Sequence, residues 1–215
     1  MNYYPELPQV PYAHTTVPMI SVISYLKLLT CSQDVKRMAY IMFRNESGNG
    51  DHGINNNYCG IQADSGRWPS KFDPLFDGVV IKQENGTGKK RIFLAFKSWE
   101  GCIDMLVNRV QGRGLYVGAP GISTEKDLAQ AYYRQWVTGN PRAVMPQQEA
   151  ENFASMYGQA LALFRVAVAN QATNTHITAG AAGGQSLPDS SSANSSGTTD
   201  LTADDLNAAE LEKHT

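Results

Sequence analysis

Residues Val35 to Gln62 read VKRMAYIMFRNESGNGDHGINNNYCGIQ, and the fold turns on how this stretch is parsed. Val35, Met38, Ala39, Met42 and Phe43 recur at the i, i+3, i+4, i+7, i+8 spacing of one helical face, so the stretch opens as an amphipathic helix with that face in the core. Glu46 follows Phe43 by three positions and Met42 by four, and falls on the same stripe. Ser47, Gly48 and Asn49 then stop the helix. A carboxyl at the inner end of an apolar stripe is poorly solvated, and the negative end of the helix dipole lies beside it; both raise its pKa. A carboxylic acid kept protonated near neutral pH serves as a general acid. The competing reading is a glutamate that turns outward into water, as charged residues in a last helical turn usually do.

The loop that follows is rich in residues suited to a polar ligand. Gly48, Gly50, Gly53 and Gly60 let the backbone approach closely, and Asn49, Asn55, Asn56 and Asn57 carry paired donors and acceptors. The same composition also builds plain turns.

NESGNG followed by GINNNYCGIQADSGRW resembles the glucosaminidase family of the lysozyme-like superfamily, in which a helix ends in Glu-Ser-Gly and an Asn-Asn-aromatic-x-Gly-Ile segment follows. The similarity continues in FLAFKSWEGCIDML and in the Tyr116-containing stretch LYVGA, and it covers about residues 30 to 140. The resemblance implies an α+β, lysozyme-like fold: a mainly helical lobe and a small antiparallel β-hairpin lobe flanking a cleft. It implies that Glu46 protonates the leaving oxygen of a β-1,4 glycosidic bond between N-acetylglucosamine and N-acetylmuramic acid in peptidoglycan. A closely related pattern occurs in lytic transglycosylases, and a transglycosylase or muramidase outcome stays open. Cys59 departs from it, standing where the family more often has an apolar or aromatic residue in the sugar-facing wall.

A chain of 215 residues, 42% hydrophobic, has material for one core with appendages. With 18 basic and 20 acidic side chains and a net charge of -2, it carries no block of like charge, which makes DNA or RNA a poor candidate partner. Cys31, Cys59 and Cys102 are too few for a disulfide framework and lack paired metal spacing, so they read as reduced thiols, and no metal or cofactor is implied. A catalytic pairing of a cysteine with His52 lacks an orienting third group nearby in sequence. The amino terminus does not read as a signal peptide, and the apolar stretch Val17 to Leu29 is too short to span a bilayer. Synthesis in the cytoplasm is expected, with delivery to the cell wall inside a virion or by release at lysis.

Along the chain, residues 1–18, with Pro5, Pro8, Pro11 and Pro18, read as an extended arm, and residues 19–170 as the glycan-cleaving domain. Within it, helices are expected from about Met19 to Leu29 with Ile20, Ile23 and Leu26 to Leu28 inward, and from Ser32, which caps the central helix. GVVIKQE and KKRIFLAF flank Asn85-Gly86-Thr87-Gly88 and predict a β-hairpin, expected to form one wall of the substrate groove. Ser98 is placed as the cap of a helix burying Trp99, Cys102, Ile103, Leu106, Val107 and Val110. Thr124 and Asp127 open the next, with Leu128, Ala131, Tyr132 and Trp136 as packing positions. A last helix runs over 147–170 and buries Phe153, Met156, Tyr157, Ala160, Leu161, Phe164 and Val168. Residues 171–215, dominated by Gly, Ser, Thr and Ala, read as a disordered tail that can hold a virion or assembly partner.

Glycosidic cleavage needs a proton donor and a means of stabilising an oxocarbenium-like centre. Glu46 supplies the first, and Glu84, before the hairpin turn, is the candidate for the second; Asp51, Asp64 and Asp73 are lesser ones. Asn56, Asn57, Tyr58, Gln62, Trp68 and Tyr116 are the candidate substrate contacts. Trp68 is either a sugar-stacking platform or a plug in a small core. With one acid alone, the substrate's N-acetyl group assists or a transglycosylase outcome follows. The alternative function is a catalytically silent lysozyme-like module that binds glycan or serves a virion structure.

Overall fold

The central helix is the most enclosed element of the molecule, and the others are laid against it. A computed structural model describes residues 6–63, 68–83 and 88–165, all within the unit Met1–Val166. The helix α2 (Gln33–Ser47) buries Val35, Met38, Ala39, Met42 and Phe43 as its spacing requires, and also Tyr40 and Ile41, because neighbours cover it on three sides. Those neighbours are α1 (Met19–Leu28), α3 (Trp99–Arg113) and α5 (Gln147–Leu163), while α4 (Glu125–Tyr132) packs on α5. Lys36 is buried too; its Nζ donates to the Lys27 carbonyl at 2.8 Å, setting a cation at the negative end of α1.

Both ends of α2 are locally determined. Ser32 Oγ accepts from the Val35 amide at 3.2 Å. Ser32→Ala should therefore lower stability by about 1 kcal/mol, read from chemical denaturation midpoints, with little change in the slope. At the other end Gly48 takes a left-handed conformation at φ 55°, and its amide closes on the Arg44 carbonyl. Gly50 has φ 90°, and a Cβ there would lie 2.1 Å from the Val17 carbonyl oxygen, so only glycine lets the chain reverse at this distance.

The β-structure is small and antiparallel. Strands β3 (Phe76–Gln83) and β4 (Lys90–Phe96) pair with Val79 opposite Leu94, and β1 (His14–Thr15) pairs with β2 (Gly53–Ile54). The segment 8–10 runs along the free edge of β3 through Val10 N–H to the Val79 carbonyl and Val79 N–H to the Pro8 carbonyl, both 2.9 Å. On the outer edge of β4, Ala63 N–H donates to Ile92 and Leu94 N–H to Ile61. The described part of the amino-terminal segment is thus extended and stitched to the sheet, and Val17 is in the core. Residues 84–87, where the sequence places a turn, and residues 166–215, with the tail expectation and Val168, lie outside the described residues.

Several packing expectations are corrected. In α1 the inward residues are Val22, Ile23 and Leu26, which share one face at helical spacing, while Ile20 at its margin and Leu28 on the opposite side face solvent. Leu161 is exposed as well, at the margin of the α5 face that buries Phe153, Met156 and Ala160. Trp99 is only half-buried, at the start of α3 with its ring edge against Tyr25. Ser98 occupies the cap position of α3 without a side-chain hydrogen bond, whereas Thr124 and Asp127 form a full reciprocal capping box on α4. Together these elements make a mixed α+β fold, helical in its larger part.

Candidate functional site

Glu46 emerges where the buried stripe of α2 reaches the surface. It opens into a groove of about 330 Å³ whose lining includes Cys59, Gly60, Gln62, Arg109, Arg113 and Trp136. Glu46 is exposed at the mouth of this groove, so the outward reading of its helical position holds, and the protein packed around the carboxyl desolvates it only from the groove side. Burial pushes its pKa up. The Tyr132 hydroxyl and, more weakly, the Trp136 indole hold the ionised form and oppose that rise without cancelling it.

The hydroxyl's direction is fixed by its neighbours. Asn45 Nδ2 donates to Tyr132 Oη at 2.8 Å, and Tyr132 donates to Glu46 Oε1 at 3.0 Å. Burial and the adjacent Glu46 carboxyl drive the Tyr132 pKa far up, so this phenol is always a donor. Tyr132 closes α4, and the chain continues as a π-helical turn, Tyr133–Val137, which carries Trp136 and Val137 to the groove. Such wide turns re-aim side chains that an α-helix would have kept on its packing face.

The opposite wall is built by Asn57. Its Oδ1 accepts from Ile61 N–H at 3.0 Å, and its Nδ2 donates to the Ile61 and Leu94 carbonyls, both at 2.9 Å. This clasp holds the 57–61 turn, with Gly60 at φ 59°, and presents Cys59, Gly60 and Gln62 to the groove. Asn57 is thus buried scaffold and not a substrate contact. Asn56 is likewise occupied, its Nδ2 donating to the Phe96 carbonyl.

The aromatic candidates are also corrected. Tyr58 is 1% exposed, with its ring 5.2 Å from that of Phe43. Trp68 is 5% exposed, set edge-on to Phe76 at 5.2 Å, and its Nε1 donates to Asp73 Oδ1. Both fill core in place of facing a sugar, because a small hairpin lobe has few other large side chains with which to close its interior. Tyr116 packs against the core away from the groove. Of the six substrate contacts expected, Gln62 alone lines the groove.

The hairpin is antiparallel as expected, yet none of its strand residues lines the groove around Glu46; β4 supports that wall from behind, through Leu94 and the 61–63 segment. Glu84 and Asp64 lie outside the described residues. Asp51 is exposed, and Asp73 is engaged by Trp68. Among the described residues of the groove lining, Glu46 is the single carboxyl.

Cys59 sits in the groove wall as a free thiol against Cys102, whose Sγ accepts from Tyr58 N–H at 3.4 Å. Its hydrogen bond to Cys102 and its burial push the Cys59 thiol well up, so it is neutral and inert. His52 is exposed near His14 and does not pair with it. Among the described residues no cluster of His, Cys, Asp and Glu could hold a metal ion, and no helix is long and apolar enough to cross a membrane.

Arg109, Arg113 and Trp136 enter the site with no motif in the sequence to mark them. The two arginines, four apart at the end of an apolar-faced helix, were the available signal. Compared with family models, with curated proteins and with solved structures, the chain matches none.

Proposed function

We propose that this chain is a peptidoglycan hydrolase of glucosaminidase type, with a lysozyme-like fold, and that Glu46 is its general acid. The observation that carries the reading is a carboxyl in an open groove, the single one among the described lining residues, oriented by Tyr132 and with its pKa pushed up by partial burial. In the cleavage step the Glu46 proton passes to the glycosidic oxygen, the C1–O bond breaks, and its electron pair leaves with that oxygen as an alcohol. A single acid suits a route in which the carbonyl oxygen of the substrate's own N-acetyl group captures C1. Water then opens that ring and returns a proton to Glu46. Capture by a sugar hydroxyl would instead leave an anhydro end.

The reading is tested by release of soluble fragments from purified peptidoglycan by the full chain, with a silent glycan-binding module as the conclusion if none appear. Tyr132→Phe refines it. Removing this donor takes away a stabiliser of the ionised carboxylate, so the Glu46 pKa rises further and the alkaline limb of the rate profile moves to higher pH. A limb that moves to lower pH would mean that another group supplies the proton.

A further inference from the structure

The groove holds two guanidinium groups that pair with no described carboxylate. Arg109 and Arg113 stand one helical turn apart on α3, and both line the groove with Glu46. Among the described residues the one ion pair is Arg37–Asp34, so neither arginine is paired with Glu46 or any other described carboxylate. Arg113 is held in place, its Nη1 donating to the Gln135 carbonyl and its guanidinium lying 5.5 Å from the centre of the Trp136 ring. Arg109 is half-buried and hydrogen-bonds to no described protein acceptor; burial and the like charge of Arg113 both lower its pKa. Its nitrogens are nonetheless not sealed off. A partly desolvated cation with no described partner is unfavourable until an anion completes it.

We propose that Arg109 and Arg113 form a recognition subsite for a carboxylate borne by the glycan, and that this subsite selects acidic over neutral strands. The inference rests on the glycan-cleaving reading and names its substrate class more closely. Planar guanidinium donors match a carboxylate in two parallel hydrogen bonds, which a lysine cannot reproduce. Because neither arginine is paired to Glu46, the subsite can hold an anion without first breaking a bridge to the acid. Arg113 is shared with an adjoining hollow of about 580 Å³, whose lining adds Arg134 and, as its one carboxylate, Asp127, so a chain extending from the sugar has somewhere to lie.

Two sources offer such a carboxylate: the lactyl group of a peptide-free muramic acid, and the acidic peptide attached to it. Titration calorimetry on the full chain carrying Glu46→Gln, which prevents turnover, would compare three tetrasaccharides: neutral N-acetylglucosamine, peptide-free alternating N-acetylglucosamine and N-acetylmuramic acid, and the same with peptides. Arg109→Gln and Arg109→Lys, each added to that background, should weaken the acidic probes by about tenfold or more and the neutral one by less than about twofold. Whichever acidic probe loses more identifies the source. Equal losses for acidic and neutral probes, or none, would overturn the subsite. If the Glu46→Gln chain binds no glycan, the glycan reading fails. The subsite is then decided by titrating the same chain with lactate and following the arginine Nε–Hε resonances. Shifts abolished by Arg109→Gln would uphold it, and unmoved resonances would overturn it.

Discussion

Glu46→Gln is expected to release fragments from peptidoglycan at least about a hundredfold more slowly than the parent, the scale of losing a general acid, while folding as well as the parent or better near pH 7. The amide keeps the shape and can still accept from Tyr132, but has no proton to give. The stability side follows from the direction of the pKa shift. Burial raises the folded pKa of Glu46 above its ordinary 4.5, so ionisation is less favourable in the native chain than in the unfolded one. Below the unfolded value both states are protonated and the cost is absent; as pH rises through the folded value it is fully felt. Thermal midpoints should therefore favour the variant at pH 7 and converge below about pH 4.5. A variant as active as the parent would remove Glu46 from the chemistry. A variant less stable at neutral pH would show that the carboxylate is held by its donors more strongly than it is penalised by burial.

The second large effect is structural. Asn57→Ala should destabilise the fold by about 3 kcal/mol, because it removes three buried hydrogen bonds and leaves the Ile61 amide and two carbonyls without that partner. Chemical denaturation gives the number directly. A loss confined to substrate affinity, with the denaturation midpoint unchanged, would restore Asn57 as a ligand contact.

That contrast marks what sequence carries and what it does not. The central helix, its serine cap, its Gly48 stop and the antiparallel pairing of β3 with β4 are set by residues near one another in the chain, and periodicity reveals them. The roles of Asn57, Tyr58 and Trp68 are decided by partners brought in by the fold. For Asn57 the partner that settles the matter is the Leu94 carbonyl, 37 residues away. A glycine- and asparagine-rich loop has the same composition whether its side chains face a ligand or satisfy buried backbone. Trp136 has helical spacing and reads as core, yet the π-turn after α4 delivers it to the groove. Arg109 and Arg113 are visible as neighbours on one helix face, but which groove they enter depends on how α3 packs against α2.

The most direct measurement is mass analysis of purified peptidoglycan after incubation with the full chain and with Glu46→Gln. The account predicts that the parent releases fragments cut at glycosidic bonds, with reducing N-acetylglucosamine ends expected for the glucosaminidase reading, and that Glu46→Gln does not. Reducing muramic acid or anhydro ends would keep Glu46 as the acid and change the bond or the acceptor. Intact glycan strands after incubation with a folded parent chain would contradict the account.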